Sequence, residues 1–244
     1  LQTVLLPLAL AQNASTVVLR GGTNVPMSPP ALYIEKVYLP MLFEMGVKAR
    51  FQHRTWGFMP QGAGELEVEI AGRAALHPLD LSERGALQSV DGVAFASKLP
   101  SHIPQRMSDR ARSLLRQVGL PRVQIEPQHV TSKDTGAGIF LLAQYEGARA
   151  GFDALGRRGL PSEQVAELAC GDLLNHHRAG AAVDPHLADQ LLLSFALAGG
   201  ESRMSVSRVT PHLLTNAWAI QQFGLASVTV AGQEGAPGNV IVKA

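Results

Sequence analysis

Six residues, Glu65-Leu66-Glu67-Val68-Glu69-Ile70, restrict this chain more than any other stretch. Side chains alternate across a strand, so the strict exchange of acid and aliphatic puts Leu66, Val68 and Ile70 on one face and three carboxylates on the other. Such a strand belongs in a sheet with one side covered and an acidic side left to solvent. The neighbouring segments complete a unit. Ser15 to Leu19 reads as a short β-branched strand and Val47 to His53 as another. Ala31 to Met45 takes helical spacing, with Ile34, Val37, Tyr38, Met41, Leu42 and Met45 on one face before Gly46 ends it. Residues 1 to 11 read as a buried helix. Strand, helix, strand, turn and strand form an α/β unit.

Near Ser82-Glu83-Arg84-Gly85 the character shifts. A second unit follows, with strands at Val90 to Phe95, Val123 to Glu126, Gly138 to Tyr145 and Ala148 to Phe152, and helices at Pro104 to Val118 and Pro161 to His176. From Gly180 the first pattern returns. A helix runs to Leu197 and a strand lies at Met204 to Val206. A helix runs from Pro211 to Phe223, then strands fall at Ala226 to Val230 and Val240 to Lys243. The expected organisation is a large domain over residues 1–85, a small α/β domain inserted at 86–178, and the rest of the large domain at 179–244.

Composition sets outer bounds. With 46% hydrophobic and 17% charged residues the chain holds ample material for a core and no signature of disorder. A formal net charge of +1 gives no global field for polyanions, so any nucleic acid needs a local patch. The single cysteine, Cys170, excludes an internal disulfide framework and fits a reducing, cytoplasmic compartment. Its place in a helical pattern marks it as a small buried hydrophobe. The start, L-Q-T-V-L-L-P-L-A-L-A, lacks the basic head of a signal peptide and reads as a helix already in progress, cut from a longer chain. No run approaches the ~18–20 apolar residues of a membrane span.

Two short stretches carry chemistry. In Asp184 to Gly199, Asp184 suits a helix cap, Pro185 the first turn, and Leu187, Leu191, Phe195 and Ala198 form a buried stripe. His186, Asp189 and Gln190, three and four residues apart, project from another face, and polar groups on so apolar a helix call for partners, a ligand among them. In Thr210-Pro211-His212, Pro211 again opens a helix. His212 then lies where backbone N–H groups and the helix dipole favour an anion and a neutral, nucleophilic imidazole. Other signals are weaker. Arg20-Gly21-Gly22-Thr23-Asn24 could cradle phosphate, although a tight turn explains it equally, and so with Gly62-Ala63-Gly64. His176-His177 fits complementarity to a helix C-terminus, and no metal site is expected. Lys98, Arg106, Arg110, Arg112, Arg116 and Arg122 face only Asp109, a basic face open to solvent or to RNA phosphates.

Taken in order, these motifs resemble the RNA 3′-terminal phosphate cyclase family. The residues that carry the resemblance are Arg20-Gly21-Gly22-Thr23 with Pro29-Pro30, Gly57-Phe58-Met59-Pro60 with Gly62 and Gly64, and Glu83-Arg84-Gly85. Later come Leu187-Ala188-Asp189-Gln190-Leu191, Ala196-Leu197-Ala198-Gly199 and His212-Leu213-Leu214-Thr215-Asn216. The resemblance implies an α+β fold: a large domain of repeated units, each a four-stranded sheet with two helices, and a small inserted α/β domain. It implies an enzyme that uses ATP with Mg²⁺ or Mn²⁺ to convert an RNA 3′-phosphate end to a 2′,3′-cyclic phosphate, through AMP held covalently on His212. By position Gln2 and the segment His186, Leu187, Ala188, Asp189 and Gln190 would hold ATP, with Pro30 and Tyr33 near the adenine. His186 stands where the family commonly has Tyr. The family's Gly-rich N-terminal segment has no counterpart, so the resemblance covers nearly all of this chain but about two-thirds of a family member, and this polypeptide alone is expected to be catalytically incomplete. No membrane and no obligate protein partner are expected. Two other classes compete: a non-catalytic cyclase-like protein of ribosome assembly, against which His212 argues, and an enolpyruvyl-transferase-like enzyme, which would not need His212 in this context.

Overall fold

A computed structural model describes all residues, 1–244, as a mixed α/β protein built on three sheets. It opens with α1 (Gln2–Leu10) and β1 (Ser15–Gly21). Only one face of α1 is buried, through Leu5, Leu6 and Ala9, while Val4 and Leu10 are exposed. The segment expected as a single helix is continuous but not uniform: α2 (Ala31–Tyr33) passes through a π-helical stretch, Ile34–Tyr38, into α3 (Leu39–Glu44). Pro40 explains the change of winding, since it has no N–H for the carbonyl four residues back and its ring crowds that carbonyl. The Lys36 carbonyl is free to accept from Arg149 Nη1 at 3.4 Å instead.

β2 (Ala49–Thr55) and β3 (Gly64–Ile70) complete the first sheet, in the order β1-β3-β2 and antiparallel throughout. It has three strands, where the resemblance implies units of four. Val68 and Ile70 face the core as the alternation requires. The acidic face meets solvent, but its carboxylates are paired. Glu65 pairs with Arg20 at 2.8 Å, Glu67 with Arg54 at 2.7 Å and Glu69 with Arg50 at 3.9 Å, each arginine coming from a flanking strand.

Beyond β4 (Asp80–Leu81) the chain builds a second sheet from β5 (Leu87–Ser97), β6 (Val123–His129), β7 (Gly136–Tyr145) and β8 (Arg149–Leu155), in the order β6-β5-β7-β8. α4 (His102–Gln117) lies between β5 and β6 and makes their parallel pairing possible. α5 (Ser162–Ala179) packs beside α4 and against β7 and β8. The third sheet, β10-β11-β9-β4, gathers β9 (Glu201–Val206), β10 (Ser227–Ala231) and β11 (Gly238–Lys243). β4 joins it by running parallel to β9, so residues on both sides of the second sheet's segment meet in one layer. α6 (Pro185–Leu197) and α7 (Pro211–Gln222) pack on each other and on this third sheet. One hydrophobic core, from Leu5 to Val242, runs through all three layers. No helix is long and apolar enough to cross a membrane.

Candidate functional site

The two candidate helices start with the same local grammar. Asp184 caps α6, its carboxylate accepting from the His186 and Leu187 amides at 2.9 Å each, and Pro185 fills the first turn. Thr210 caps α7 by accepting from the Leu213 amide at 3.1 Å, and Pro211 follows. His186 and His212 therefore hold equivalent positions, second in their helices, and both are exposed. Asp189, one turn into α6, is half-buried. Burial pushes its carboxyl up, while its own backbone amide, His212 and then His186 pull it back. A single carboxylate thus feels both imidazoles.

The other expected site residues fall into three places. Leu187 and Ala188 are fully buried in the core, and their amides are taken by Asp184. Gln190 is half-buried, with an Oε1 that has no partner in the protein, and the Nε2 of Gln2 is likewise without one. Gln2 does not share a cavity with His186. It lines a separate one of about 260 Å³, with Arg20 to Thr23 and Pro29. Pro30 is buried and starts α2. Tyr33 is buried beneath the start of α6. Its side chain is 2% exposed, and its hydroxyl donates to both Asp184 oxygens at 2.8 and 2.9 Å. A ring so enclosed has no face for a base, and Tyr33 instead fixes the cap of α6. The Gly151 amide donates to the same carboxylate at 3.2 Å, so Asp184 ties α2, β8 and α6 together.

Several weaker signals resolve as structural. The Thr23 and Asn24 amides both donate to the Gly57 carbonyl, at 3.0 and 2.9 Å, and are not free for phosphate. Thr23 Oγ1 accepts from the Gly57 amide at 2.9 Å and lies 3.0 Å from His53 Nε2. The basic face of α4 is largely neutralised from α5, with Arg106 paired to Glu163 at 2.7 Å and Arg110 to Glu167 at 2.6 Å, while Arg112 pairs with Asp109. Spacing along α4 could not reveal acids on another helix. At the end of α5 the cation is Arg84, not a histidine. It donates to the carbonyls of His177 at 2.8 Å and His176 at 3.4 Å and lies over the Tyr145 ring. Burial, then Arg84, lowers the pKa of both histidines. Cys170 is buried, and burial pushes its thiol up to about 12, which makes it unreactive.

One cavity escaped sequence reasoning. Of about 270 Å³, it opens at the N-terminus of α6 and is lined by Phe152, Asp153, His176, His186, Ser207 and Arg208 among others. His212 does not line it, but Ser207 and Arg208 belong to the turn that leads into α7. No three His, Cys, Asp or Glu side chains converge anywhere to hold a metal ion.

An α+β protein in which the neutral cap Thr210 leaves the N-terminus of α7 uncompensated beside His212 is suited to binding an anionic ligand there. Comparison with known proteins is more specific. The family model for RNA 3′-terminal phosphate cyclase matches residues 1–230, and the chain belongs to that family. It is similar to proteins named RNA 3′-terminal phosphate cyclase from Methylococcus capsulatus (54% identity over 94% of this chain and 64% of the relative) and Nostoc punctiforme (52%, over 94% and 66%). A protein of the same name from Thermococcus kodakarensis is 36% identical over 98% of this chain and 68% of its own. The chain thus spans a little under two-thirds of the length of its bacterial relatives.

Proposed function

We propose that this chain is the nucleotide-handling part of an ATP-dependent RNA 3′-terminal phosphate cyclase. The observation that carries the reading is the pairing of two packed helices, α6 and α7, that each open with a capping residue, a proline and an exposed histidine, His186 and His212. In the first step an imidazole nitrogen of His212 attacks the α-phosphorus of ATP, forming a P–N bond as the bond to pyrophosphate breaks. An oxygen of the RNA 3′-phosphate then displaces the imidazole, leaving AMP in anhydride linkage with the RNA. Finally the neighbouring 2′-hydroxyl attacks the 3′-phosphorus, closes the five-membered ring and releases AMP. The last step gains from proximity, since nucleophile and electrophile share one ribose.

Within this proposal His212 is the nucleophile, and Asp189, half-buried on α6, belongs to the nucleotide-holding segment. Gln190 and Gln2 offer polar atoms still without partners. The residues present do not form a protein-held metal site, so no step is assigned to one; a divalent ion would arrive on the nucleotide phosphates. The division into residues 1–85, 86–178 and 179–244, and a cytoplasmic setting, belong to the same proposal. They rest on the separate sheet of residues 87–155 and on a lone unpaired cysteine.

The test is covalent labelling. The chain, and a chimera joining it to the part of the Methylococcus capsulatus relative outside the matched region, are incubated with α-labelled ATP and Mg²⁺ or Mn²⁺. An acid-labile, alkali-stable adduct is expected on the chimera and is lost in His212→Ala. Equal labelling of wild type and His212→Ala refutes the nucleotidyl-histidine step. Labelling with no cyclic phosphate formed on a 3′-phosphorylated RNA refutes the substrate.

A further inference from the structure

The basic stretch of the second sheet's segment is not spent entirely on ion pairs. Arg106, Arg110 and Arg112 are neutralised, and Lys98 donates to the Lys133 carbonyl. Arg116 and Arg122 have no acid partner, and they line one cavity with Ser89, Asp91 and Gln124. It lies where α4 ends and β6 begins, and at about 720 Å³ it is large enough for a nucleotide unit. Arg116 gives one N–H to the Val123 carbonyl at 3.3 Å, which leaves the rest of its fork free. Arg122 stands at φ +44°, left-handed backbone that favours glycine, and its carbonyl accepts from the Val90 amide at 3.2 Å. The turn that carries it is therefore pinned to β5 at the rim of the cavity.

Asp91 is the acid of this cavity, and its contacts are one-sided. Ser89 Oγ donates to Asp91 Oδ2 at 2.9 Å and Gln144 Nε2 to the same oxygen at 2.5 Å, so Oδ1 is left to accept from outside. Two cations without acids, beside a carboxylate with an oxygen to spare, match a chain that alternates phosphate with hydroxyl. We propose that this cavity is a subsite for the body of the RNA, apart from the starts of α6 and α7. Arg116 and Arg122 hold backbone phosphate, and Asp91 Oδ1 accepts from a ribose 2′-hydroxyl. The inference rests on the proposed RNA substrate and adds where the strand leading to the reacting end is held. DNA offers the phosphate without the hydroxyl, and an acidic peptide offers carboxylates without a hydroxyl on each unit. Asp91 and Gln124 also line a second cavity, of about 210 Å³, which reaches Leu32 and Lys36 beside Tyr33. A strand seated at the arginines thus has a groove leading toward the residue that fixes the cap of α6.

The test follows fluorescence anisotropy of a short labelled RNA ending in a 3′-phosphate, titrated with the wild-type chain and with the chimera described above. Arg116→Gln combined with Arg122→Gln should weaken binding about tenfold at low salt and reduce the slope of log affinity against log salt by about 1–1.5. A second probe keeps the reacting ribose and changes only the body: DNA of the same sequence closed by one ribonucleotide 3′-phosphate. Wild type should bind the all-RNA probe about three- to tenfold more tightly. Asp91→Ala should abolish that preference, while Ser89 and Gln144 keep their own hydrogen bond at 3.2 Å. The wild-type comparison needs no variant to fold. An unchanged affinity and salt slope in the arginine pair, or no RNA binding by either wild-type protein, overturns the subsite. Equal binding of the two bodies, or displacement of the RNA by polyglutamate as readily as by unlabelled RNA, makes this a general polyanion surface and overturns the RNA assignment. Labelling by ATP separates the two readings: an adduct on the chimera together with unchanged RNA binding in the arginine pair removes the subsite and leaves the proposed function standing.

Discussion

Replacing Tyr33 by Phe removes one oxygen from the core and tests whether Asp184 is the strut its contacts suggest. Asp184 is fully buried, and its carboxylate is met by the Tyr33 hydroxyl at 2.8 and 2.9 Å and by the amides of His186, Leu187 and Gly151 at 2.9, 2.9 and 3.2 Å. A hydrogen bond to a charged group contributes about 1.5–3 kcal/mol, and the loss leaves a buried oxygen with fewer donors. Phe fills nearly the same volume, so no packing loss is added, and the expected cost is about 2–3 kcal/mol. The pH dependence gives a second signature. Burial raises the Asp184 pKa and the Tyr33 hydroxyl, by donating to the ionised form, lowers it. A carboxyl whose folded pKa lies above its unfolded value gives stability that is present in acid and lost as pH rises through the folded pKa. Without the Tyr33 hydroxyl the folded pKa rises further, so the deficit of Tyr33→Phe grows with pH. Urea unfolding followed by circular dichroism at about pH 5 and about pH 8 measures both quantities. A variant within about 0.5 kcal/mol of wild type at the higher pH, or a deficit equal at the two, would refute the strut.

Two further outcomes follow from the same geometry. His176 is neutral in the fold, with its pKa lowered from 6.5 to about 3. Stability therefore falls as pH drops below the unfolded value, by about 2 kcal/mol between about pH 7 and about pH 5, and urea midpoints of His176→Phe should lack that slope; parallel curves would count against a neutral buried imidazole. A Cβ at Gly57 would collide with the backbone nitrogen of Gly64 and the backbone carbonyl of Gly21, so Gly57→Ala should cost about 3 kcal/mol by thermal unfolding, and a near-neutral result would refute that close backbone approach.

What the sequence disclosed was local, and what it concealed lay between segments. Period and capping placed α5, α6 and α7 within a few residues of their ends, because Pro161, Pro185, Pro211 and the glycines after them act on the backbone directly. β4 was missed, since two residues carry no period and its partner β9 lies more than a hundred positions on. The glutamates of β3 looked solvated because their arginines stand on other strands, and the arginines of α4 looked free because Glu163 and Glu167 stand on α5. The cavity was hidden for the same reason: Asp153, His176 and Ser207 come from three separate segments, and none belongs to a motif. One signal was available for His176. It continues the buried stripe Val165, Ala169 and Leu173 of α5, so the residue was marked for the core and not for the helix end.

The two helix starts both use a cap followed by Pro and His, but the caps differ in charge. Asp184 sets a carboxylate on the N-terminus of α6, which offsets the positive end of the helix dipole; Thr210 is neutral and leaves that of α7 uncompensated. Asp153 and Asp172 add to the negative side around the cavity at α6. On the proposed reading a phosphate chain is therefore favoured at the N-terminus of α7 over that of α6. Replacing the neutral cap alone, Thr210→Asp, would offset the positive end of α7 while keeping a competent cap, and should weaken the binding of tripolyphosphate measured calorimetrically; unchanged binding would refute a phosphate site at α7.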